Sequence, residues 1–290
     1  MAAVLVIGGT RYFGNRLVHL LLEQKYEVTL LTRGRTKDDF SDRVQRIHCD
    51  RTDSNALAQA AKGHKWNLIF DQVCYDAHEA ASACEIFADK TDRYIFTSSQ
   101  SVYSEGRNIS EEVFAPKFHK FEKIVSKDSD YAEAKRQAEA TFSRLARFQL
   151  VQVRFPIVLG PDDYTKRLLF HIEHISEEKL ISHPNLDSEI SFISSEDAAK
   201  ALLFIGQSSF IGPINFCSPD PISIRDLLEQ IEKTVGKKAK ITLNPAEGDP
   251  SPFGAPRDWY MSCARAKELG LDLAPLSEWL PQLIRNLTHF

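Results

Sequence analysis

Residues 6–17, "VIGGTRYFGNRL", constrain this chain more than any other stretch. They continue the apolar, β-rich run "AAVLVI", and after Gly14 the residues Leu17, Val18, Leu20, Leu21 and Leu22 fit one broad helix face. The order strand, glycine turn, helix is therefore expected. A helix N-terminus offers unpaired N–H groups and a partial positive charge, and glycines let a phosphate approach the backbone, so the turn suits a pyrophosphate. A P-loop would end in Gly-Lys-Ser/Thr. Here Asn15 and Arg16 follow Gly14, the lysine that grips terminal phosphates is missing, and an NTPase is not expected.

With 290 residues, 43% of them hydrophobic and 26% charged, the chain can bury the core of one large α/β domain carrying a smaller lobe. No apolar run approaches the roughly 20 residues that span a bilayer, and no basic segment precedes the first apolar stretch. A cytoplasmic protein without a membrane partner is expected. Cys49, Cys74, Cys84, Cys217 and Cys263 lack C-x-x-C spacing and read as buried, reduced thiols. His171 and His174 share a helix face, but no cysteine or carboxylate is spaced to complete a metal site, so they read as surface histidines. The formal charge of −4 gives no general attraction to nucleic acid.

Apolar, β-branched runs recur at 26–32, 43–49, 66–73, 93–99 and 149–159, with helix-like stretches such as "SNALAQAAKG" and "HEAASACEIFADK" between them. This alternation implies an α/β fold: a Rossmann-type, doubly wound parallel sheet with a smaller C-terminal substrate-binding lobe. The expected dinucleotide-binding domain covers 1–160 and is rejoined by about 190–218, leaving 161–189 and 219–290 to the lobe. "NPAEGDPSPFGAP" (244–256) reads as a long surface loop.

The second strand bears on the cofactor. In a dinucleotide site its end normally carries an acid for the adenosine ribose, whereas arginine there accommodates a 2′-phosphate. This strand ends "LLTRGR", with Thr32 at the acid's place and Arg33 and Arg35 beyond it. NADP(H) is favoured over NAD(H), with Arg33 and Arg11 as phosphate ligands.

"YAEAK" (131–135) opens a strong helix former and places Tyr131 and Lys135 one turn apart on one face. Together with the glycine turn and "IFTSSQSVYSEG" (95–106) at the end of an expected central strand, the chain resembles the extended short-chain dehydrogenase/reductases of the NAD(P)-dependent epimerase/dehydratase type. "TSSQSVY" aligns with that family's Ser-Ser-x-x-Val-Tyr segment, which implies Ser99 as the catalytic Ser/Thr and Tyr131 and Lys135 as its partners. Asp50 in "CDRTD" matches the acid that meets the adenine ring. "VRFPIVLGP" (153–161) and "ISFISSEDAAKAL" (190–202) resemble later segments of the same family.

The resemblance implies a cofactor set of Gly8, Gly9, Thr10, Arg11, Tyr12, Phe13, Gly14, Arg33, Asp50, Tyr131 and Lys135. Tyr131 would exchange a proton with a substrate hydroxyl or carbonyl while the nicotinamide exchanges hydride at the same carbon, with Ser99 orienting the oxygen. Homodimerisation through the tyrosine-bearing helix and its neighbour is likewise implied. A nucleotide sugar is one substrate class, but Ile157 stands where the family's sugar-nucleotide enzymes usually carry Asn, and Ile190 where they often carry Arg. Arg257 is a candidate to supply one lost contact, and a smaller or less charged small-molecule substrate stays open. Arg11 in place of the middle glycine, and "FDQVCYDAHEA" in place of His-x-Ala-Ala after the fourth strand, resemble an atypical branch that includes chloroplast stem-loop RNA-binding proteins. An RNA-associated or regulatory role on the same scaffold is therefore the rival expectation.

Overall fold

The computed structural model describes residues 2–121, 126–128 and 130–288. The apolar runs become β1 (Ala3–Ile7), β2 (Glu27–Thr32), β3 (Gln45–His48), β4 (Trp66–Asp71), β5 (Thr91–Ser99) and β6 (Gln149–Phe155), and a strand outside those runs adds β7 (Gly212–Asn215). They form one parallel sheet in the order β3-β2-β1-β4-β5-β6-β7. The helices are α1 (Tyr12–Glu23), α2 (Ser54–Ala60), α3 (Ala77–Phe87), α4 (Tyr131–Leu145) and α5 (Ser195–Gln207). This is the doubly wound architecture expected from the strand–helix alternation. Because β1 pairs with both β2 and β4, the chain reverses its winding direction there, and the crevice at the strands' C-terminal ends is where such sheets hold ligands.

Three of these helices begin where the sequence supplies a cap. Asp53, Asp76 and Asp130 accept the N–H of Ala56, Glu79 and Glu133 at the starts of α2, α3 and α4. At α1 the N-cap is Arg11, which makes no side-chain cap bond, and the first turn holds no acidic residue. An uncapped positive helix end thus faces the crevice. On the other side, α3 packs against α4, and small residues on both, Ala80 and Ala83 on α3 and Ala134 and Ala138 on α4, are buried.

Two compact units divide the described residues. The first is the chain up to Tyr103, with Glu111–Phe155 and Ser195–Phe216; the second is Ser104–Ser110, Pro156–Ser194 and the chain from Cys217 onward. The run at 149–159 is split rather than continuous: β6 stops at Phe155, and Ile157–Leu159 pairs instead with Phe192–Ser194. Pro156 has no N–H to give a ladder, which explains the break.

In the second unit the helices Arg167–Ser176, Ile224–Val235 and Leu276–Thr288 enclose a core that includes Ile172, Ile175, Leu227, Ile231, Leu280 and Ile284. Two sequence expectations are corrected here. The 244–256 stretch is not a plain surface loop: Asp249–Pro250 pairs with Ile181–Ser182, and Phe253 and Ala255 are buried in the core. Its two apolar side chains anchor it.

His171 and His174 are not surface residues either. His171 is 1% exposed, stacks on Phe253 at 4.6 Å between centroids, and shares hydrogen bonds with the Arg167 carbonyl (2.9 Å) and Ser251 Oγ (2.8 Å). His174 Nε2 meets Asp249 Oδ2 at 2.9 Å. Both rings tie their helix to the 249–253 segment, and burial lowers the His171 pKa from 6.5 to about 4. The unfolded chain therefore takes the proton first: stability is full above about pH 6.5 and falls as pH drops towards 4, by up to roughly 3 kcal/mol. Thermal unfolding at pH 4.5 and 7.5 should show this loss, and a His171→Gln variant should show less of it.

No helix among the described residues is long and apolar enough to cross a membrane. Cys49, Cys74, Cys84 and Cys217 are buried free thiols, and Cys263 is a half-buried one.

Candidate active site

The glycine turn leaves β1 with Gly8 at φ 97° and Gly9 at φ 88°, conformations that L side chains rarely adopt. A Cβ on Gly9 would also lie 2.8 Å from Val6 Cγ1, and one on Gly14 would lie 2.9 Å from the Gly9 Cα. Arg11 needs no glycine, because its backbone is extended at φ −138°, ψ 154°. The left-handed conformation falls on Tyr12 instead, at φ 57°. Its ring is buried and packs 5.6 Å from Phe13, which in turn meets Phe155 edge-on at 5.8 Å. Packing holds a backbone that costs a non-glycine residue on the order of 1–2 kcal/mol, and it leaves the Arg11 side chain exposed. Thr10, between Gly9 and Arg11, is partly buried.

At the end of β2, Thr32 Oγ1 accepts the Gly34 N–H at 3.2 Å, and Gly34, at φ 69°, lies against the His48 ring. Arg33 and Arg35 are exposed on either side of it. Asp50, just past β3, accepts the N–H (3.1 Å) and hydroxyl (2.8 Å) of Thr52 at one oxygen. These bonds, then the charges of Arg33 and Arg35, hold its carboxyl below the usual range. The predicted adenine and 2′-phosphate residues thus share one edge of the sheet.

On the other side of β1, β5 ends at Ser99, whose Oγ accepts the Ser101 N–H and donates to Ser101 Oγ, both at 3.1 Å. Tyr131 opens α4 and is 40% exposed. Lys135, one turn on, is 2% exposed. Its Nζ donates to the Cys74 carbonyl (2.7 Å) and the Thr97 carbonyl (2.9 Å), with the rings of Tyr75 and Phe96 at 4.9 and 4.8 Å. Two carbonyls and two ring faces offset the cost of burying an ammonium group. Tyr75 also approaches Tyr131, with ring centroids 6.4 Å apart. Lys135 and Tyr131 therefore flank the segment that follows β4.

That segment, 72–76, is held by residues that the sequence did not single out. Arg51 and Asp71 form a buried ion pair at 2.5 Å, the Tyr94 hydroxyl donates to Asp71 at 2.6 Å, and Asp71 accepts the Val73 N–H at 3.1 Å. Glu79 accepts the Tyr75 N–H at 2.7 Å, and its carbonyl receives Arg51 at 3.0 Å. Burial raises the Glu79 carboxyl pKa, with Arg51 opposing the rise. The only visible sequence signal was the unusual "FDQVCYDAHEA" itself. Arg257 belongs to the second unit, where it is exposed between Asp249–Pro250 and Trp259–Met261. Among the described residues no group of three or more His, Cys, Asp or Glu side chains is arranged to hold a metal ion.

A doubly wound sheet with a glycine turn at its switch point defines a dinucleotide-binding class of fold. The model of the NAD dependent epimerase/dehydratase family matches residues 4–87 and 73–214, and the chain belongs to that enzyme family. The fold is similar over 99% of the chain to Thermus thermophilus UDP-glucose 4-epimerase in complex with NAD (TM-score 0.76, 17% identity, 98% of that chain covered). It is equally similar to the Bacillus cereus UDP-glucuronic acid 4-epimerase in complex with UDP-glucuronic acid and NAD (TM-score 0.76, 17% identity, 99% of each chain). The Bacillus anthracis dTDP-glucose 4,6-dehydratase in complex with NAD gives a TM-score of 0.77 at 14% identity, over 99% of this chain and 96% of that one. The chloroplast stem-loop binding protein of 41 kDa b of Arabidopsis thaliana is 27% identical over 113 residues, 34% of this chain and 30% of that relative's length.

Proposed function

We propose that the chain is an NAD(P)-dependent epimerase, dehydratase or reductase acting at a hydroxyl or carbonyl carbon through Ser99, Tyr131 and Lys135. The observation that carries this reading is the position of Lys135: its ammonium bridges the segment after β4 and the end of β5, one helical turn from Tyr131. The crevice fits a dinucleotide, since the end of α1 is uncapped and glycines stand wherever a Cβ would obstruct the turn. Gly8, Gly9, Thr10, Arg11, Tyr12, Phe13 and Gly14 would hold the diphosphate, with Asp50 at the adenine. The bound nicotinamide supplies the hydride acceptor or donor.

The protein's own groups do the rest. Tyr131 moves a proton between its hydroxyl and the substrate oxygen, and Ser99 Oγ fixes that oxygen by a hydrogen bond. Lys135 uses two of its three protons on carbonyls and keeps one for a ribose hydroxyl. Nucleotide sugars are the first substrates to test, because the structural neighbours include enzymes that act on UDP- and dTDP-linked sugars. Smaller hydroxy or carbonyl compounds come second, given Ile157 and Ile190. Arg257 is carried forward as a substrate contact. A cytoplasmic homodimer is the accompanying expectation.

NADP(H) is the favoured cofactor, since Thr32 replaces the acid that would repel a 2′-phosphate and Arg33 follows it. A charge-assisted contact of this kind contributes about 1.5–3 kcal/mol, so Arg33→Asp should weaken NADPH binding by roughly 10- to 100-fold and leave NADH nearly unchanged. Parallel titration of the nucleotide-free protein with NADPH and NADH tests both levels. Failure to bind either removes the oxidoreductase reading; equal affinity for the two removes the Arg33 assignment.

A second reading, an RNA-associated protein on the same scaffold, is favoured by the match to the stem-loop binding relative and by Arg11. Salt-sensitive binding of a stem-loop RNA, without any oxidation of NAD(P)H, would put it first.

A further inference from the structure

Gln72 is the first residue beyond β4, and its backbone N–H is fixed to the Ile7 carbonyl at 3.0 Å. Its side chain runs along the glycine turn to the first turn of α1. A Cβ on Gly14 would fall 2.2 Å from Gln72 Oε1 and 3.1 Å from its amide carbon, and one on Gly8 would fall 3.5 Å from Gln72 Cβ. The absent side chain of Gly14 is thus the space in which this carboxamide lies. Its nitrogen is shielded from solvent and has no hydrogen-bond partner among the described residues. A buried donor left unsatisfied destabilises the fold, and methionine would fill about the same volume without one.

We propose that Gln72 binds the diphosphate of the dinucleotide, donating from its amide to the phosphate nearer the nicotinamide. This rests on the dinucleotide reading above and goes beyond it by assigning a ligand on the β4 side of the turn. Three placements support the choice of phosphate. The adenosine-side candidates Arg33 and Asp50 follow β2 and β3, on one side of β1. Ser99, at the reacting end, closes β5 on the other side. Gln72 follows β4, which lies between β1 and β5. Its donor therefore falls midway along a dinucleotide laid across the strand ends, beside the uncapped start of α1. The terminal amide torsion is soft, so the nitrogen turns towards a phosphate oxygen without moving the backbone.

The test measures affinity for NADPH, ADP-ribose and AMP in the wild type, Gln72→Met and Gln72→Glu. Methionine keeps the packing and removes the donor. It should weaken NADPH and ADP-ribose by roughly 10-fold and change AMP, which ends at the adenosine-side phosphate, by less than about twofold. Glutamate puts a negative charge beside the diphosphate, so it should abolish ADP-ribose binding at pH 8 and regain part of it as the pH falls towards 5. Equal loss for AMP and ADP-ribose in Gln72→Met would mean a general disturbance of the turn and would overturn the proposal. Unchanged or tighter ADP-ribose binding would do the same. Wild-type protein that binds none of the three would instead refute the dinucleotide reading itself.

Discussion

Tyr131→Phe is expected to lower turnover by about 10²- to 10⁴-fold, the usual contribution of a positioned proton-transfer group, with NADPH affinity unchanged within about twofold. The change removes one oxygen from a ring that is 40% exposed, so nothing in the core must adjust. The start of α4 is secured independently, by Asp130 accepting the Glu133 N–H at 3.0 Å. Lys135→Met should behave differently. Its ammonium is buried between the Cys74 and Thr97 carbonyls, so losing it frees two acceptors and loosens the 72–76 segment as well as the ribose contact. Stability and cofactor affinity should fall together with turnover. The assay is reduction or interconversion of the compound that a screen of nucleotide sugars and simpler carbonyls selects. Full turnover by the phenylalanine variant would remove Tyr131 from the mechanism.

The contrast between those two residues marks how much was legible in the sequence. Local signals carried the sheet and the turn: β-branched runs, the glycines of 8–14 and the i, i+4 spacing of Tyr131 and Lys135 depend on near neighbours in the chain. What was not legible depends on partners far along it. Nothing local says that Lys135 is buried while Tyr131, on the same face, stays accessible; that follows from β4 and β5 being adjacent. His171 read as a surface residue because its helix pattern says nothing about Ser251 and Phe253, about 80 positions later. Arg51 sits in the loop after β3, and only the fold brings it to Asp71. Arg11 was a departure whose cost could not be weighed without φ and ψ, since the strained residue proved to be its neighbour Tyr12.

Arg154→Met should be strongly destabilising to the first unit. Arg154 and Glu139 are both fully buried and meet twice, Nη2 to Oε2 at 2.5 Å and Nε to Oε1 at 2.9 Å. Ser98 Oγ donates to the same carboxylate at 2.5 Å, and Arg154 also reaches the Glu111 and Phe114 carbonyls, each at 3.1 Å. It also donates to the Tyr103 hydroxyl at 2.7 Å, which passes a hydrogen bond on to Asn215 Oδ1 at 2.8 Å. Burial pushes that phenol up to about 12, so it stays neutral and can accept and donate at once. The pair's own net contribution is small, because desolvating two ions offsets much of their attraction, but removing one partner strands the other charge and costs about 3–5 kcal/mol. A fall in Tm on the order of 10 °C follows for a unit of this size. Arg154→Met combined with Glu139→Gln should recover a large part of it, which a simple packing defect at 154 would not allow. A single variant within about 2 °C of the wild type would show that the carboxylate finds water or another partner. Because Ser98 immediately precedes Ser99, the same single variant should also lower kcat more than it raises KM, as the strand carrying the hydroxyl proposed to orient the substrate oxygen loses its brace.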